Sequence, residues 1–197
     1  MDIEKRFFSI RAKKSDKGVT ITGYPAKFNN LSEDMGFREM IEPGAFTDTI
    51  KDADVRALFN HDSHYVLGRT LSGTLGLSED DVGLLMELHA PDTALIRDMV
   101  INPIDRGDIT QMSFGFVPVD ARWEEKDGEV IRILEKVDLF DVSIVTFPAY
   151  PDTEVALRSM EEWRKNPGRG DNSAAAAAIM SARRTREIQL KLKQLAL

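Results

Sequence analysis

The sequence predicts a mainly β protein of the α+β class, and three observations carry that expectation. Short runs rich in β-branched and aromatic residues recur through residues 1–150. Clusters of Gly, Asp, Asn, Ser and Lys punctuate them, as turns require. Stretches with helical spacing are few and short. Together these point to a sheet-rich barrel or sandwich with more β than α.

In chain order, Ile3–Arg11 and Gly18–Phe28 read as strands separated by a turn at Lys13–Gly18. Glu42-Pro43-Gly44 is a turn signal, with one or two helical turns over Ala45–Ile50. Val55–Asn60 is a short apolar run that ends at His61. Leu71–Leu77 and Gly83–Ala90 flank the acidic turn Ser78-Glu79-Asp80-Asp81 as a hairpin. Asp92 or Thr93 caps a helix with the apolar face Leu95, Ile96, Met99 and Val100, and Pro103 is expected to stop it. Over Thr110–Asp120 the residues alternate, putting Met112, Phe114 and Phe116 on one face and Ser113, Gly115 and Val117 on the other. A turn at Lys126-Asp127-Gly128 leads into strands Glu129–Val137 and Leu139–Phe147.

Beyond Pro151 the character changes. Glu154–Lys165 reads as a short helix, 166–171 as a flexible linker, and Ser173 to Ala178 as low complexity. Ile188, Leu192 and Leu195 then form a helical stripe too short to stand without a partner. The expected division is a domain over residues 1–158 and a linker with a basic, partly helical tail over 159–197, of which 167–197 lie outside the domain.

Composition excludes several classes. With no cysteine there is no disulfide scaffold, thiol nucleophile or cysteine-ligated metal. No apolar stretch reaches the length of a membrane helix, and the N-terminus lacks the apolar run of a secretory signal, so a cytoplasmic location is expected. From Arg158 onward nine Lys/Arg face four Asp/Glu, a surplus of +5 that leaves −12 on the preceding 157 residues. An acidic body of that kind does not suit specific nucleic-acid binding, which needs a basic face; only the tail does.

Three residues stand out as chemistry bearers. His61 sits where a buried strand meets a polar turn, a place that aims a side chain and leaves it accessible, though a lone histidine at a strand end is more often structural. Ser113 lies within an apolar strand, with Gly115 two residues on leaving its face bare for another chain to approach; the alternative is a hydroxyl bonded to a neighbouring carbonyl. No Gly-x-Ser-x-Gly elbow surrounds it. Asp141 interrupts an apolar strand, and a buried carboxylate needs a donor, either an imidazole N–H or an arginine such as Arg69. His89, in an alternating strand, reads as structural. As a unit the trio is chemically coherent: a base frees the serine hydroxyl, and an acid orients the base.

The chain resembles the prohead maturation proteases of tailed phages, a family related in fold to herpesvirus assemblins. The resemblance rests on Gly23-Tyr24-Pro25-Ala26-Lys27-Phe28-Asn29, Glu42-Pro43-Gly44-Ala45-Phe46, Ala57-Leu58-Phe59-Asn60-His61-Asp62 and Leu67-Gly68-Arg69-Thr70. It continues through Met112-Ser113-Phe114-Gly115-Phe116 and the segment from Asp141 to Ala149. It implies a closed or nearly closed β-barrel ringed by short helices, with His61 as general base, Ser113 as nucleophile and Asp141 orienting His61, where family members commonly have glutamate. No cofactor and no metal is implied. The implied activity is a serine endopeptidase acting in the host cytoplasm inside the assembling procapsid. Its implied substrates are the scaffold, the scaffolding segment of the major capsid protein, and the protease itself. Portal and scaffold are further candidate partners, and homodimerisation stays open. Two rivals remain: a metal hydrolase built on His61-Asp62-Ser63-His64, and a catalytically inactive capsid-assembly factor on the same fold.

Overall fold

The structure is a computed structural model that describes residues 10–15, 18–147, 160, 161 and 163–165. Mostly strands, it is built as two sheets with a few short helices. The first sheet is antiparallel throughout, in the order β1 (Arg11–Ser15), β2 (Gly18–Lys27), β7 (Gly83–Ala90), β6 (Leu75–Glu79). β1 runs through Ser15, across part of the turn expected at Lys13–Gly18; residues 3–9 of the expected first strand lie outside the described residues. Where β2 meets β7, the register shifts between Gly23 and Ala26. Pro25 lies within that step and has no N–H for the ladder, which is where strands bulge.

The second sheet is mixed. Its order is β3 (Arg38–Ile41), β9 (Glu129–Val145), β4 (Arg56–Phe59), β5 (Asp62–Arg69), with β8 (Gln111–Lys126) also on β9. β9 is the spine: β3 pairs parallel with its first half, β4 parallel with its second, and β8 antiparallel along its length. The turn at 127 and 128 is as expected. Asp127 and Gly128 both have positive φ, 54° and 81°, the pattern favoured for two-residue hairpins. The two strands expected on either side of Asp138 are one continuous strand, and β3 and β5 had not been foreseen. β2 packs against β8 and β5 against β7, but neither sheet closes on itself as a barrel among the described residues.

The helices are α1 (Thr49–Asp52), α2 (Ala94–Ile96) and α3 (Asn102–Arg106), with a π-helical turn over Arg97–Ile101 joining the last two. Thr93 caps α2, its hydroxyl accepting from Ile96 N at 3.3 Å. Pro103 does not stop this segment. It occupies the start of α3, where a missing N–H costs least, and the wider π turn precedes it. Gly107 ends the helix at φ 80°. The buried face is Ile96, Val100, Ile101 and Ile104, while Leu95 is exposed. Among the described residues no helix is long and apolar enough to cross a membrane.

One core cluster fills the space between the sheets. Phe46 is its aromatic centre, fully buried, and meets Phe114 edge-on at 5.6 Å. A second, smaller cluster joins Phe37, Trp123 and Val130 to Met160, with Trp163 stacked 6.2 Å from Trp123. Residues 160, 161 and 163–165 are helical, and so hold this end of the β8–β9 hairpin. The rest of the expected Glu154–Lys165 helix, the linker and the Ile188/Leu192/Leu195 stripe lie outside the described residues.

Candidate active site

The site begins with a turn. β4 and β5 pair with Phe59 opposite Asp62, so Asn60 and His61 alone connect them. Both have positive φ, 53° and 57°. A side chain in that region costs about 1–2 kcal/mol, and the second such position in hairpins usually takes glycine. Hydrogen bonds hold the strain in place. Asn60 N donates to Ile144 O at 2.9 Å, Thr146 N donates to Asn60 Oδ1 at 2.8 Å, and His61 N donates to Ser143 Oγ at 3.3 Å. The turn is thereby bound to the last residues of β9.

β9 supplies the acid. Asp141 Oδ1 accepts from His61 Nδ1 at 2.6 Å and from Ser143 Oγ at 2.7 Å. An ionised carboxylate only accepts, so the imidazole proton sits on Nδ1 and the lone pair on Nε2. Nε2 is enclosed and has no hydrogen-bond partner among the described residues. Of the two donors foreseen for Asp141, the imidazole is therefore the one in contact. Arg69 forks Asp54, Nε to Oδ1 and Nη2 to Oδ2 both at 2.6 Å, and holds that carboxyl below the usual range.

β8 supplies the serine. In the β8–β9 ladder Ser113 stands opposite Ser143 and Gly115 opposite Asp141, so all four share one face of the sheet. The other face, with Phe114 against Val142, belongs to the core. Gly115 does leave bare space, but not for an approaching chain. A Cβ there would run into Asp141 Oδ2 and lie 3.1 Å from Cγ, so the carboxylate itself occupies that space. Ser113 is half-buried, and its hydroxyl makes no hydrogen bond among the described residues. Beside His61 a groove of about 360 Å³ is lined by Asn60, His61, Val145, Thr146 and Phe147, and Phe147 is 82% exposed.

The remaining histidines face elsewhere. His64 Nδ1 contacts Asp62 Oδ1 at 2.8 Å on an exposed strand, so it and His61 serve different carboxylates. His89 Nδ1 lies 3.2 Å from Thr20 Oγ1 across β2 and β7. Two site residues had gone unremarked in sequence. Asn60 was legible as a residue tolerant of positive φ in a two-residue turn; Ser143 was legible only as the period-2 neighbour of Asp141.

The sequence matches the model of the caudovirus prohead serine protease family over residues 7–166. The chain belongs to that family. No curated protein and no solved structure matches it. Family membership makes the chain one of the serine peptidases of phage capsid maturation.

Proposed function

We propose that the chain is a serine endopeptidase that cleaves scaffold, or the scaffolding segment of the major capsid protein, and itself, within the assembling procapsid. Ser113 is the nucleophile, His61 the general base and Asp141 the residue that orients it. The observation that carries this reading is the 2.6 Å His61 Nδ1–Asp141 Oδ1 contact with the opposite ring nitrogen enclosed and unpaired. The register supports Ser113, because side chains directly opposite across an antiparallel pair lie about 4.5–5.5 Å apart at Cβ. Its opposite number, Ser143, is itself bonded to Asp141 and to the His61 backbone.

In the proposed mechanism Ser113 Oγ attacks the scissile carbonyl while His61 Nε2 takes the hydroxyl proton. Asp141 keeps Nδ1 protonated and stabilises the imidazolium. The imidazolium returns its proton to the leaving amine as the C–N bond breaks. Water, deprotonated by the same nitrogen, then attacks the acyl carbon; the ester bond to Ser113 breaks, the acid product leaves, and His61 returns the proton to Ser113 Oγ. The groove beside His61 suits one flank of an extended peptide, and approach of β2 to β8 and of β5 to β7 suits a barrel-like wrap around the core. We place the self-cleavage zone in residues 166–178 on composition, and the targeting signal in the basic tail after it.

The deciding experiment is intact mass of the wild-type chain beside Ser113→Ala, each expressed alone and with its capsid protein. Trimming by the wild type only supports the reading. Equal trimming by both removes Ser113 from the nucleophile role. No trimming by either, with the capsid protein present, favours an inactive assembly factor.

A further inference from the structure

We infer that Ser143 is the positioning residue of the His61–Asp141 pair, the hydroxyl that ties the acid's carboxylate and the histidine's backbone into one closed ring of hydrogen bonds. The inference rests on the protease reading above and deepens it. Around the ring, His61 N donates to Ser143 Oγ, Ser143 Oγ donates to Asp141 Oδ1, and His61 Nδ1 donates to the same oxygen. A hydroxyl is the smallest side-chain group that accepts from an amide and donates to a carboxylate at once.

Ser143 is not a second nucleophile candidate. It is 0% exposed, and its proton is committed to Asp141, so no scissile carbonyl reaches it. It has work to do on both partners. His61 sits at φ 57°, a backbone state that drifts without an anchor, and its N–H is anchored on Ser143. Asp141 is bounded on its second oxygen by the bare α-carbon of Gly115 and held on its first by Ser143. Nearby charges serve other partners. Arg56, opposite Asp141 on β4, is bound to Asp54, and Asp62 accepts from His64. Hydrogen bonds from the Ser143 hydroxyl and the His61 ring, rather than an ion pair with arginine, thus fix the carboxylate.

The test compares wild type, Ser143→Cys and Ser143→Ala in the full chain. Cys is close in size and a weaker donor, and the chain contains no other cysteine. Two quantities are read: kcat on the capsid protein, and the His61 Nδ1–H signal by proton NMR on ¹⁵N-histidine-labelled protein. A small misplacement of catalytic groups costs up to about 100-fold, so Ser143→Ala is expected to lose roughly 10- to 100-fold in kcat with KM unchanged. Its Nδ1–H signal should broaden through solvent exchange, with Ser143→Cys intermediate in both. A wild-type kcat in Ser143→Ala, or an unaltered Nδ1–H signal in it, overturns the inference. The NMR arm needs no turnover, so it still reports on the ring if Ser113 proves not to be the nucleophile.

Discussion

His61, Gly115 and Asp141 each hold a position that another residue type would not hold at equal cost. His61 accepts backbone strain to lay its ring beside Asp141, a cost that native proteins tolerate mainly at working sites. Gly115 yields the volume that the carboxylate fills. Gly115→Ala is therefore expected to displace Asp141 and remove cleavage activity while the chain still unfolds cooperatively; peptidase assay beside a thermal melt checks both. Asp141→Asn keeps the shape but presents an amide that can donate toward Nδ1, favouring the wrong tautomer. On the precedent of serine-protease triads it should lower kcat by about 10⁴-fold without changing the melting temperature greatly. An equal loss of stability and activity in either variant would assign these residues to the core instead.

At the scale of elements, the β8–β9 hairpin does most of the organising. Its Asp127-Gly128 turn was readable from the dipeptide, because few residue pairs accept two positive φ angles in succession. Its bulges were not readable: Phe116 meets Leu139 rather than Phe140, and the register shifts again on either side of Asp120, steps that belong to the pairing of the two strands and not to either alone. Pairing of β3 with β9 carries a pH dependence. Glu39 stands opposite Arg132 and is mostly buried, and burial raises its carboxyl to about 7 although Arg132 opposes the rise. Between the ordinary carboxylate range and about pH 7 the folded chain therefore holds a proton that the unfolded chain has released. Stability from this group falls as pH rises through that window and levels off above it. Glu39→Gln should abolish that slope, measured as urea midpoint from pH 4 to pH 8; a persisting slope would point to another group.

For the molecule as a whole, the two clusters divide the labour. The large one joins the sheets around Phe46, and the small one clasps the far end of the hairpin to the helical residues at 160–165. Trp123 is 7% exposed, meets Phe37 edge-on at 5.1 Å and lies under the Arg132 guanidinium. Trp123→Ala is expected to cost about 3–5 kcal/mol of unfolding free energy, seen as a lower urea midpoint. Truncation after residue 166 leaves Met160 and Trp163 in place. It should spare peptidase activity, while loss of the basic tail removes enzyme from assembled shells, as quantified by protease content of purified procapsids. Unchanged content would sink the targeting role of the tail.

Strand periodicity, turn chemistry and an ordered set of short motifs were enough, by themselves, to determine a mainly β chain, its family and the three residues to examine. Those are local properties: alternation of side chains, φ preference and residue identity along a few neighbours. The sequence alone left Asp141 undecided between His61 and Arg69, and pointed to an approaching chain for the space beside Gly115 that the Asp141 carboxylate in fact fills. Residues 54, 61, 69, 115 and 141 are far apart in the chain, and only the strand register brings Arg69 to Asp54 and His61 to Asp141. The ring through Ser143 was hidden for the same reason, because a serine in an apolar run looks alike whether its hydroxyl faces a carbonyl, a carboxylate or a histidine backbone. Hydrogen bonds act over about 3 Å, so which groups meet is decided by the pairing of whole strands.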